Sequence, residues 1–93
     1  MENDDVMIGK KPTMSYVLAV LTHLNSGHQK VNLRARGVTI SKAVDISQII
    51  KNRFMKDIKI GRVDIGSEEL TEKDGENKGK KRNVSFISIE LVR

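Results

Sequence analysis

The run Val31-Asn32-Leu33-Arg34-Ala35-Arg36 alternates without a break, with Val31, Leu33 and Ala35 on one parity and Asn32, Arg34 and Arg36 on the other. Successive side chains of a strand point to opposite faces, so this pattern predicts a half-buried strand with a cationic outer face. Gly37 ends it. Whatever covers the apolar face must come from the flanking segments, and these carry a different period.

Upstream, Met14, Val17, Leu18, Leu21 and Leu24 recur at helical spacing, widened by Ala19 and Val20. Pro12 suits the first turn of such a helix, and Asn25-Ser26-Gly27 suits its end, with Gly27 placed for a left-handed cap. Downstream, Thr39 or Ser41 can cap a second helix built on Ile40, Ala43, Val44, Ile50 and Phe54, with Lys42, Lys51 and Arg53 off that stripe. Val6-Met7-Ile8 reads as a short first strand. Ile58 and Ile60 alternate, and Val63 and Ile65 resume one residue out of phase, which predicts a bulge near Gly61. Residues 72–82 contain no aliphatic side chain and two glycines, the composition of a solvated, flexible hairpin tip. Residues 84–92 return with Ile87, Ile89 and Leu91 alternating against Ser88 and Glu90. The expected fold is α/β: one two-layer β-α-β-α-β-β sandwich with a long C-terminal hairpin arm. Right-handed crossovers put both helices on one sheet face. Residues 1–5 read as an acidic tail and 6–93 as the single domain.

Charge is distributed unevenly. Residues 1–9 carry three acids and no base, residues 10–53 carry eight Lys/Arg against one acid, and residues 54–93 carry nine bases against eight acids. The middle of the chain therefore carries +7, against −3 before it and +1 after it, within a net charge of +5. A polyanion is the leading partner for such a segment, and a plain solvated lysine-rich surface is the alternative. Cysteine is absent, which excludes a disulfide scaffold, a thiol nucleophile and a cysteine zinc site. The start of the chain is acidic, unlike a signal peptide, and no apolar run approaches a membrane span, so a cytoplasmic protein is expected.

Three strings then resemble a known family: Ile8-Gly9-Lys10-Lys11-Pro12 followed by Met14 and Tyr16-Val17-Leu18-Ala19; Ala35-Arg36-Gly37 followed by Ile40-Ser41-Lys42-Ala43-Val44-Asp45; and Asn52-Arg53-Phe54. In order and spacing they are similar to the archaeal Alba chromatin proteins, from about Val6 to the C-terminus. The resemblance implies a sandwich like the C-terminal domain of a translation initiation factor. It also implies a homodimer, or a heterodimer with a paralogue, that coats and compacts double-stranded DNA with little sequence preference and also binds RNA, associated with the chromosome. It places Lys10 and Lys11 on the dimer body against the nucleic-acid backbone, with Arg34, Arg36 and Lys42 as further contacts. The hairpin arms reach toward the minor groove, and Phe54 serves a contact between dimers; a core position on the Ile50 stripe is the other reading of Phe54. Val38 stands where the family often has a base. The tip has acids leading (Glu68, Glu69, Glu72, Asp74, Glu76) and bases trailing, so repulsion by the leading half assigns contact to Lys78, Lys80, Lys81 and Arg82.

The residues supply their own mechanism. Lysine and arginine neutralise phosphates and release counterions, and Lys10 and Lys11 precede a helix start whose free N–H groups also favour an anion. Arg34 and Arg36 are about 7 Å apart on one strand face. No helix displays a base-reading cluster, and three aromatic residues are too few for a stacking platform. Catalysis is not expected: His23 falls opposite the helical stripe, His28 lies in a turn, and neither has an evident carboxylate partner. The Gly9-Lys10-Lys11 string lacks the rest of a phosphate loop, and the tip acids lack calcium-loop spacing. No cofactor and no metal are anticipated. An RNA-directed role, as a ribonucleoprotein component or RNA chaperone with DNA binding secondary, is the alternative function; a module docking an acidic protein is a third.

Overall fold

A computed structural model describes residues 4–73, 75–76 and 78–93. Strand β1 is Asp5–Met7, helix α1 Thr13–Asn25 and strand β2 Lys30–Arg36. A 3₁₀ turn over Gly37–Thr39 leads into helix α2, Ile40–Ile49, which widens into a π turn over Ile50–Phe54. Strands β3, Lys59–Thr71, and β4, Lys81–Val92, complete the chain. The sheet order is β1-β2-β4-β3, with β1 parallel to β2 and β4 antiparallel to both its neighbours. The expected element order is therefore present. What periodicity did not specify is that the last strand inserts at the centre, where Ile89 and Leu91 are buried.

Both helices pack on β2 and on each other, over the face formed by Val31, Leu33 and Ala35. The core is aliphatic: Val17, Val20, Leu24, Val31, Leu33, Ile46, Ile50, Ile58 and Leu91 are all but fully buried. Gly27 has φ 103°, the left-handed stop expected after α1. The register between β3 and β4 slips between Ile60 and Val63, as the phase change predicted. Gly61 sits in that bulge, where a Cβ would run into the Glu90 carboxylate.

Two helical faces differ from expectation. In α1 the buried set is Tyr16, Val17, Val20, His23 and Leu24, whereas Met14 and Leu18 are 54% and 65% exposed. Hydropathy ranks Met and Leu above Tyr and His, but the polar tips of Tyr16 and His23 find partners elsewhere in the chain, so their bodies can bury. In α2 the buried set is Ala43, Ile46, Ser47 and Ile50, with Val44 and Phe54 exposed. Ser47 satisfies its hydroxyl on the Val44 carbonyl at 2.7 Å. The core reading of Phe54 is overturned: the π turn closes through Met55 N–H to the Ile50 carbonyl, and the end of the helix leaves the 3.6-residue period on which that reading depended. Thr39 does not cap α2 with its side chain; its hydroxyl folds back onto the Arg36 backbone.

Candidate nucleic-acid interface

Because β1 and β2 run parallel, the segments that leave them emerge at the same end of the sheet. Lys10 and Lys11 follow β1, and Arg36 closes β2. The last pair between β2 and β4 is Arg36 with Phe86, so residues 67–71 and 81–85 continue past that end as a two-stranded arm. Five residues of strand add about 17 Å, and the molecule measures 48 × 24 × 23 Å. Loop lysines, strand arginine and arm root thus share one end.

The lysine loop is clamped from two sides. The Tyr16 hydroxyl accepts the N–H groups of Gly9 at 2.8 Å and Lys11 at 3.1 Å. The Lys42 ammonium donates to the carbonyls of Gly9 and Lys11, each at 2.9 Å, with its Nζ 5.8 Å from the centre of the Tyr16 ring. Main chain that would otherwise need water is satisfied from within, and the Lys10 and Lys11 side chains are left exposed. Lys42, expected as a phosphate contact, occupies two of its three donors in this clamp.

Four of the other predicted cations pair with carboxylates. Arg34 pairs with Asp5 at 3.3 Å and Arg36 with Glu68 at 3.2 Å. On the arm, Lys81 pairs with Glu69 at 3.3 Å and Arg82 with Glu72 at 2.9 Å. The expectation that the acidic half of the hairpin would repel a duplex is thereby altered, since three of its carboxylates face arginine or lysine. Among the described residues, no carboxylate pairs with Lys10, Lys11, Lys78 or Lys80. Asp74, counted among the leading acids of the tip, lies outside the described residues. Glu72 N–H donates to the Lys80 carbonyl and Gly79 N–H to the Glu72 carbonyl, both at 2.8 Å, which ties the base of the tip.

A cluster that sequence reasoning missed lies at the opposite end of β2. His23, expected in solvent without a partner, is 5% exposed, and its Nε2 is 2.9 Å from the Asp4 carboxylate. His28 Nδ1 is 3.5 Å from the same oxygen, and the two imidazoles stack with centroids 3.9 Å apart. The hydrogen bond with His23 holds the Asp4 carboxyl below its ordinary value, aided by the charges of His23, His28 and Lys30 and opposed by burial. Asp4 and Asp5, grouped with an acidic tail by the charge count, are tied into the body: Asp4 through this cluster and its carbonyl to Asn32 N–H, Asp5 through Arg34 and Asn32. No signal within ten residues of His23 announces a carboxylate 19 positions away.

Two helices on one face of a four-stranded mixed sheet, with a hairpin projecting beyond it, define an α/β sandwich that carries its basic loop and its arm at one end. The profile of the Alba family matches residues 4–67, and the chain belongs to that family. It is 44% identical over 92 residues to the protein named DNA/RNA-binding protein Alba of Methanocella arvoryzae, covering 99% of this chain and 92% of that one. It is 41% identical over its whole length to DNA/RNA-binding protein Alba 1 of Archaeoglobus fulgidus, covering 99% of that protein. The solved structure of Alba from Thermoplasma volcanium superposes with a TM-score of 0.84 at 43% identity, over 96% of this chain and 99% of that one. ALBA1 from Trypanosoma brucei, 18% identical, shares the fold with a TM-score of 0.75 over 97% of this chain and 68% of that one.

Proposed function

We propose that this chain is a non-enzymatic nucleic-acid-binding protein that coats and compacts double-stranded DNA with little sequence preference, as a chromosome-associated homodimer or a heterodimer with a paralogue. The observation that carries the reading is the Lys10-Lys11 loop: two exposed ammonium groups without carboxylate partners among the described residues, on main chain held by Tyr16 and Lys42. A rigid cationic loop meets a phosphate backbone without first losing loop entropy, and phosphate carries no base identity. Arg34 and Arg36 extend the surface. Their ion pairs are solvent-exposed and worth at most about 1 kcal/mol each, so a phosphate can replace the carboxylate. Lys78, Lys80, Lys81 and Arg82 form the arm's contact. Lys42 supports the loop and keeps one donor for the ligand. The relatives named DNA/RNA-binding proteins favour a second ligand, RNA, on the same surface. Exposed Met14, Leu18, Val44 and Phe54 leave the helical layer with apolar side chains that a second copy can cover, with Phe54 serving contacts between dimers.

Fluorescence anisotropy with labelled duplexes of unrelated sequence tests the assignment. Affinity is expected to fall linearly on a log–log salt plot, equally for each duplex. Lys10→Glu with Lys11→Glu should weaken all of them together and lower the salt slope by about 2 per chain. Unchanged binding by a folded double variant would reject the loop as the site. Competition by duplex RNA of matched length measures how the surface divides between the two ligands.

A further inference from the structure

The Asp4, His23 and His28 cluster lies at the opposite end of β2 from the lysine loop and the arm. We propose that it is a transition-metal site of the Zn²⁺, Co²⁺ and Ni²⁺ class, one ion per chain. Two imidazole nitrogens and one carboxylate oxygen form a donor set that suits these borderline ions and not Mg²⁺ or Ca²⁺, which prefer oxygen alone. The three donor atoms all lie within 4.8 Å of one another. Donors bound to a common ion at about 2.0–2.2 Å stand roughly 3–3.6 Å apart at angles between a right angle and the tetrahedral one. The spacings of 2.9 Å from Asp4 to His23 and 3.5 Å from Asp4 to His28 match that range.

The ring planes are stacked 14° from parallel, with both ring nitrogens on the same Asp4 oxygen. His23 is fixed by burial on α1, whereas the His28 side chain is 40% exposed on the loop before β2. Rotation of His28 about its side-chain torsions is the movement that completes the site. A groove lined by Ser15, Leu18, Ala19, Thr22 and Ser26 opens beside both rings. The ion would join two segments distant in sequence: Asp4 at the start of β1, and the last turn of α1 with the loop that follows it, 19 residues further along the chain. Since these come together only on folding, binding should stabilise the folded chain.

The test uses tag-free, chelator-treated full-length protein titrated with Co²⁺. The expected result is one equivalent bound with visible d–d absorption, displaced by Zn²⁺, and a thermal midpoint raised on the order of 10 °C at metal about 100-fold above Kd. Mg²⁺ should move neither reading. His28→Ala removes an exposed ligand without opening the core; it should keep the metal-free midpoint and weaken Co²⁺ binding about 100-fold or more. Absence of saturable binding, or equal Co²⁺ affinity in His28→Ala, overturns the proposal. His23→Gln, at a buried position, gives a second reading through its absorption spectrum if it folds: the loss of one nitrogen ligand should change the d–d band, and an unchanged band also counts against the site.

Discussion

Tyr16 shows how one residue links sequence to interface. Its ring fills the core while its hydroxyl closes the lysine loop through two N–H acceptances. Tyr16→Phe keeps the ring and removes the acceptor, which leaves two amides to find water in a half-buried position. The expected cost is about 1–2 kcal/mol in denaturant unfolding. Amide exchange at Gly9 and Lys11 should accelerate, and affinity for DNA should fall although no cation has been removed. A variant that loses stability with unchanged loop exchange would show that the hydroxyl does not hold the loop. Lys42 acts on the same loop from the carbonyl side, so its replacement would combine loss of support with loss of charge and could not separate the two.

Among the elements, the hairpin arm is the least self-sufficient. A two-stranded ribbon is marginal in water by itself, and beyond Arg36 no third strand flanks it among the described residues. Cross-strand pairs of Glu69 with Lys81 and of Glu72 with Arg82, and the bridge from Arg36 to Glu68, bind it to itself and to the body. These carboxylates have two opposed effects: they order the arm, and they compete with phosphate for its bases. Glu69→Gln with Glu72→Gln should therefore raise DNA affinity several-fold at low salt, with the gain shrinking as ionic strength rises. Stability should change by no more than about 2 kcal/mol, about 1 for each exposed pair removed. Equal affinity of variant and parent across salt concentrations would show that Lys81 and Arg82 do not reach the ligand.

For the molecule as a whole, the two helices cover one face of the sheet and still present Met14, Leu18, Val44 and Phe54 to water. A chain of 93 residues gains from burying such surface against a second copy. Sedimentation should report a dimer at micromolar concentration. Phe54→Ala should leave that dimer and its affinity for a short duplex intact while reducing cooperativity on long DNA, read from the steepness of the binding isotherm. If the variant binds long DNA with the parent's isotherm, Phe54 has no part in assembly along the duplex.

Local order was legible because it is encoded within a few residues. The alternation through Val31 to Arg36, the phase slip at Gly61 and the stop at Gly27 each specified an element or its end, and the strings around Lys10, Arg36 and Phe54 carry the resemblance to the Alba family by themselves. What only the tertiary structure decided involves partners far apart in the chain: the insertion of β4 between β2 and β3, the burial of Tyr16 and His23 in place of Met14 and Leu18, and the pairing of Arg34 with Asp5 and of Arg36 with Glu68. A periodicity reports which face of an element is apolar, but a polar side chain is buried or neutralised according to the group that meets it, and that meeting is created by the fold.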